Sequence, residues 1–174
     1  MMSKQQKDLE NPGVFLPKWT VPLFWAAIVL VIQILLPFFM SLLGHRIGWS
    51  EQNPSLWNII GLIAVIIGLA LYGWCLSFHF KTYRSSVRLG FSPPTLVTNG
   101  PYTISRNPMY VSGLFVWFGW VVYFGSPAVF IAFLLLYLIF SFRVIPAEEH
   151  QLEELFGKDY QDYKDSVRKW IGKY

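Results

Sequence analysis

Cysteine is nearly missing from the chain. Cys75 stands alone among 174 residues, inside an apolar run, so no disulfide can close within the chain and nothing points to an oxidising compartment. It reads as a packing residue. Charge is scarce as well: Asp, Glu, Lys and Arg make up 14% of the sequence, against about a quarter in soluble domains. A soluble domain of this size needs more charge on its surface, so the surplus apolar surface is expected to face lipid. His45 and His79 sit at the ends of apolar runs without a partner His, Cys or acid at ligand spacing, which argues against a metal site. There is no internal repeat, no low-complexity tract, and none of the interleaving of basic and aromatic residues expected of a nucleic-acid surface. The polar start MMSKQQKDLE leads into no small-residue cleavage pattern, so the first apolar run reads as a retained helix rather than a signal peptide.

Hydrophobic residues, by contrast, make up 54% of the chain and aromatics 18%. They gather in four runs, at about 19–43, 56–80, 109–125 and 127–145. The run from Leu56 to Phe80 carries no formal charge and is long enough to cross a hydrocarbon core of about 30 Å at about 1.5 Å per residue. Pro37 is expected to kink the first run, because proline removes a backbone donor and crowds the preceding turn. Gly125 and Pro127 punctuate the last two runs, which form a tight helical hairpin. The expectation is a single all-α membrane domain of about four spans with an amphipathic tail.

Four spans place both termini and the middle loop on one side. Of the 14 basic residues, all but Arg46 then fall on that side, and the positive-inside rule assigns it to the cytoplasm. The net charge of +4 reflects that topology and contact with anionic headgroups. After Pro146 the character changes. Leu152, Leu155, Phe156, Tyr160, Tyr163, Val167 and Trp170 recur at steps of three or four on a polar background. This predicts an amphipathic segment that lies along the interface or folds back over the middle loop, with a break at Gly157.

The loop before the hairpin reads NGPYTISRNPMYVSG, far more specific than a connector requires. Taken in order, GPYTISRNPMY, a two-helix hairpin, an EE pair, LFGKDYQDY and VRKW resemble the membrane methyltransferase superfamily that includes isoprenylcysteine carboxyl methyltransferases and phospholipid N-methyltransferases. The resemblance covers about Leu96 to Trp170, and the first two spans match only in being apolar. It implies an S-adenosyl-L-methionine site at the cytoplasmic surface, built from segments of about 94–110 and 143–170. The implied cofactor contacts are Leu96, Val97, Tyr102, Arg106, Asn107, Pro108, Met109, Tyr110 and Glu148. Arg143 falls within a residue of an Arg that faces the substrate in relatives, and for an acceptor that must lose a proton only Glu149 or a water is at hand as the base. The implied acceptor is a lipophilic or lipid-modified molecule, such as a prenylated cysteine, an aminophospholipid or another lipid-like acceptor, held among membrane lipids.

These residue types suit the chemistry. Methyl transfer from a sulfonium calls for carboxylate and aromatic faces, with cation-π attraction of about 0.5–2 kcal/mol per ring, and alignment contributes about 7–11 kcal/mol. Where the commoner pattern has His, this chain has Asn107, and an amide cannot act as a general base. That tilts the expectation toward an acceptor needing no deprotonation. Each piece also has a plain structural reading. Asn107-Pro108 is an ordinary helix start, Tyr102 and Tyr110 suit an interfacial belt, Glu148 and Glu149 suit a first helical turn, and Arg143 can snorkel. Two rivals stand beside the enzyme: an NADPH-dependent sterol-type reductase, whose acidic residue soon after the Tyr is absent here, and a non-enzymatic membrane scaffold.

Overall fold

The computed structural model describes residues 20–82 and 95–174. Of the features expected from the sequence, the polar start, Lys4, Lys7, Lys18, Arg84 and Arg88 lie outside the described residues. The described chain is nearly all helical. Helix α1 (Thr20–Ile28) runs through a wide π turn (Val29–Leu35) into α2 (Leu36–Ser41). A two-residue hairpin of β1 (Trp49–Ser50) and β2 (Asn53–Pro54) follows, then α3 (Leu56–Thr82). A 3-10 turn (Gly100–Thr103) precedes α4 (Pro108–Phe124) and α5 (Pro127–Ile139), and a second π turn (Phe140–Val144) leads into α6 (Ile145–Phe156) and α7 (Lys158–Ser166).

Both prolines lie within continuous helix. Pro37 does not interrupt the first helix; the backbone widens ahead of it, and the carbonyl of Gln33, four residues earlier, accepts the indole N–H of Trp120 at 2.6 Å. Pro146 does not end the fourth run either. The Ile145 N–H bonds the Phe140 carbonyl in the wide register. Pro146 has no N–H to give the next carbonyl, Ser141, which takes the Lys169 ammonium at 2.8 Å instead. The hairpin's second arm is therefore one continuous helix from Pro127 to Phe156, with the apolar stretch to Ile145 and the polar stretch beyond it in line. The break comes at Gly157, with φ of +52°.

Two helices, Leu56–His79 and Pro127–Phe156, are long and apolar enough to cross a membrane, while Ala26–Ser41 and Pro108–Phe124 are apolar but shorter. Only 28% and 22% of the two long apolar windows is buried within the protein. A core helix of a soluble protein would be covered, so these faces suit lipid.

The most extensive helix contact is the antiparallel pair α3 and α4. It is close because small residues face each other. A Cβ at Gly61 would lie 2.5 Å from the Gly119 carbonyl oxygen, and one at Gly119 would lie 2.6 Å from Val65. Any side chain at either position would force the helices apart. Val116 and Ser112 complete the seam, fully buried. At the α4–α5 turn Gly125 has φ of +56°, and a Cβ there would strike the Ile47 carbonyl at 2.2 Å. The Ile47 N–H in turn bonds the Gly125 carbonyl at 3.0 Å, tying the β hairpin to this end of the helices. The opposite end gathers the 95–107 loop, the tail and the C-terminal turn of α3.

Candidate functional site

Asn107 occupies the N-cap of α4 with Pro108 at the first helical position, but its side chain makes no capping bond. The amide instead donates to the Lys169 carbonyl at 3.0 Å, while the Asn107 N–H bonds Ser105 Oγ at 2.9 Å. The residue in front of it repeats the pattern. Arg106 donates its backbone N–H to the Arg168 carbonyl at 3.1 Å, and its Nη1 reaches the carbonyls of Lys164 and Val167 at 2.9 and 3.1 Å. Those carbonyls close the end of α7, where a helix leaves acceptors unsatisfied and favours a cation. Its Nη2 pairs with Glu149 at 3.0 Å, with the two side chains 9% and 16% exposed. Removing either partner would leave a largely buried charge unpaired.

The tail is thus a strap laid back over the loop, the second of the two placements the sequence left open. The Gly172 N–H bonds the Ile104 carbonyl at 2.8 Å, and the Tyr163 hydroxyl donates to the Tyr102 carbonyl at 2.7 Å. Tyr160, Tyr163 and Val167 form a buried cluster against which Leu96, Tyr102, Leu152 and Phe156 pack. Burial pushes the Tyr163 hydroxyl up to about 12, with Arg106 opposing the shift. Tyr160 is raised further by burial, and Glu149 adds to it. Both phenols stay protonated at neutral pH. Of the tail's expected apolar face, Leu155 points away and is exposed, while Trp170 stacks on Tyr137 with ring centres 5.4 Å apart.

A second group links the start of α4 to α6. Tyr110, on the first turn of α4, donates its hydroxyl to Glu148 Oε1 at 2.7 Å across 38 residues of sequence, and its ring lies 4.7 Å from Phe140. Tyr102 stands nearby, its ring 6.0 Å from His79 and 6.5 Å from Phe78 at the end of α3. Glu148 lies beyond the apolar stretch of its helix. Partial burial of the carboxyl raises it above the usual carboxylate range, and the Tyr110 hydroxyl pulls it back. Its residue surface nonetheless remains open to solvent. A carboxylate that is desolvated on one side and open on the other is suited to an incoming cation.

The structure thus divides the sequence-predicted residues. It brings Tyr110 and Glu148 into direct contact, with Tyr102 beside them. Arg106, Asn107 and Leu96 are engaged by the strap, and Glu149 by Arg106. Pro108 is buried at the helix start, Val97 and Met109 are half-buried beside it, and Arg143 is exposed on the wide turn of Phe140–Val144. Sequence reasoning missed Lys169 and the carbonyls of the strap. Their only trace was the VRKW string, which carried no sign that its backbone, rather than its side chains, would hold the loop.

An S-adenosylmethionine-like molecule carries an ammonium, a sulfonium, a carboxylate and an adenine. The donor set fits it: Glu148 for a cation, and the rings of Tyr110, Tyr102 and Phe140 for a cation or a flat base.

The model of the phospholipid methyltransferase family matches residues 56–159, from the start of α3 to the first turn of α7. The match bears out the resemblance read from the loop and tail and extends it upstream through α3. Protein-S-isoprenylcysteine O-methyltransferase B of Arabidopsis thaliana is 41% identical over 132 residues, covering 75% of this chain and 62% of that protein. The protein-S-isoprenylcysteine O-methyltransferase of Dictyostelium discoideum is 41% identical over 149 residues, 80% of this chain and 60% of that one. A probable protein-S-isoprenylcysteine O-methyltransferase of Oryza sativa subsp. japonica is 31% identical over 112 residues, 63% of this chain and 58% of that one. The chain spans about three fifths of the length of these relatives. No solved structure matches.

Proposed function

The chain belongs to the phospholipid methyltransferase family, and from that premise we propose that it transfers a methyl group from S-adenosyl-L-methionine to a lipophilic acceptor at the cytoplasmic face of a membrane it crosses four times. The observation that carries this reading is the Tyr110–Glu148 contact at the mouth of the helical hairpin, inside the family match. When bound, S-adenosylmethionine supplies an electrophilic methyl on a positively charged sulfur. Glu148 holds positive charge at its carboxylate, Tyr110 and Tyr102 offer ring faces, and the 95–107 loop is kept in place by Arg106 and Asn107 through the strap. The principal contribution of these residues is alignment, for which well-oriented reactions show about 7–11 kcal/mol.

The acceptor is best read as a carboxylate on a prenylated cysteine. The names of the similar relatives point that way, and so does the chemistry of this chain. A carboxylate is already a nucleophile at neutral pH, whereas an ammonium must first lose a proton. Asn107 cannot take one, and Glu149 is held by Arg106, so we place Glu149 among the positioning residues. Arg143, exposed beside the membrane end of α6, is assigned to the acceptor carboxylate. Titrating purified protein with S-adenosylmethionine and with NADPH by calorimetry tests the reading: binding of the first and not the second is expected, with weaker binding in Glu148→Gln. Binding of NADPH alone would favour a reductase, and binding of neither a scaffold.

A further inference from the structure

At the end of the helices opposite the Tyr110–Glu148 site lies a cleft of about 410 Å³. Its apolar wall comes from Ile34, Leu35 and Phe38 on the first helix and Leu62 on α3, and its aromatic floor from Trp120 and Phe124 on α4. Trp120 and Phe124 stack with ring centres 5.3 Å apart. Trp49 closes the cleft, its indole N–H donated to the Tyr123 carbonyl at 2.9 Å, as that of Trp120 is to Gln33. Both indole donors are therefore taken by the protein itself. The charged group that remains for a ligand is Arg46.

Arg46 is the one basic residue that the four-span topology puts on this side, and it lines the cleft. Its guanidinium carbon sits 4.7 Å from the Trp49 ring centre and 5.2 Å from that of Phe124. Nε and Nη2 cap the end of α2 through the Ser41 carbonyl and hydroxyl. Nη1 makes no hydrogen bond among the described residues, and no ion pair links Arg46 to Glu51, the nearest acid in sequence. The cleft thus combines one rigidly held cation, without an ion pair among the described residues, with an apolar wall continuous with exposed residues, since Leu35 and Phe38 are 38% and 44% exposed.

We infer that this cleft is a binding site for one phospholipid of the non-cytoplasmic leaflet, with Arg46 on the headgroup phosphate and an acyl chain along Leu35, Phe38 and Leu62. Charge complementarity selects a phosphate, for which the guanidinium fork is well shaped, and the apolar wall selects a chain-bearing one. The inference requires that this end of the helices meet a bilayer and is independent of methyl transfer.

Native mass spectrometry of the detergent-purified full chain tests it with three probes: phosphatidylglycerol, diacylglycerol of the same acyl chains, and inorganic phosphate. The expected result is one retained phosphatidylglycerol, at least about tenfold tighter than diacylglycerol, with that preference abolished in Arg46→Gln. Because Arg46 also caps a helix, Leu35→Trp provides a second variant, which fills the cleft from its exposed rim. It should lose phosphatidylglycerol while keeping the thermal midpoint of the parent. Retention of the preference in Arg46→Gln, equal binding of the two lipids, undiminished binding in Leu35→Trp, or inorganic phosphate binding as tightly as phosphatidylglycerol would each overturn the inference.

Discussion

Replacing Arg106 with Gln removes a charge held by four bonds to the strap and its neighbour α6: a backbone bond that survives, two carbonyls at the end of α7, and Glu149. The glutamine cannot pair with Glu149, whose side chain is 16% exposed. Breaking a buried pair by removing one partner costs about 3–5 kcal/mol. Because Glu149 keeps some access to water, the lower end applies, and about 3 kcal/mol corresponds to more than about a hundredfold in an equilibrium. That free energy belongs to docking of the strap rather than to the helices, since α3 and α4 meet elsewhere through Gly61 and Gly119. Hydrogen exchange reads the two apart. Amides of Arg106 and Gly172, which bond Arg168 and Ile104 across the strap, should exchange about a hundredfold faster in Arg106→Gln, while amides in the middle of α3 keep their protection. Glu149→Gln should show a smaller effect in the same amides, and the double variant should cost less than the sum. Unchanged exchange at Arg106 and Gly172, or an equal loss throughout the protein, would refute the clamp.

The pH dependence of cofactor binding follows from Glu148. Its carboxyl is raised by burial, and a cationic ligand favours the ionised form, so affinity should be full at high pH and fall as pH drops through the raised value, at a higher pH than for an ordinary carboxylate. Calorimetry across pH should show that fall in the parent and a flat profile in Glu148→Gln. At Tyr110, Phe should retain most of the binding, whereas Leu should lose about 0.5–2 kcal/mol, about two- to thirtyfold; equal affinities in the two variants would return the ring to a structural role. Reporters fused at residue 90 and after Tyr174 should both read cytoplasmic and one between Gly44 and Ser55 external, and opposite placement of the first two would break the four-span count.

The helices were legible because apolar runs and punctuation are local signals. Gly125 and Pro127 marked the hairpin turn, and Gly157 marked the break in the tail. Neither Pro37 nor Pro146 stops its helix, since the carbonyl each one frees finds another donor. Here Trp120 and Lys169 supply one each from more than 25 residues away in sequence, which no local pattern reports. The same limit applies to the loop. GPYTISRNPMY announced that something was being held, and Tyr110 meets Glu148 as the two segments suggested. Arg106 and Asn107 looked alike as cofactor contacts, yet their partners are carbonyls of Lys164, Val167 and Lys169. Backbone acceptors carry no sequence signature, so only the folded strap shows which residues hold the loop.

Methyl transfer to a soluble S-prenylcysteine analogue, followed with methyl-labelled S-adenosylmethionine and full-length protein in detergent or lipid, tests the central claim most directly. Label should enter the analogue as a base-labile methyl ester, and transfer should fall when Glu148 is replaced by Gln. Label appearing on an aminophospholipid as a base-stable N-methyl group would contradict the carboxylate acceptor, and no transfer by a protein that binds the cofactor and the analogue would contradict the enzyme.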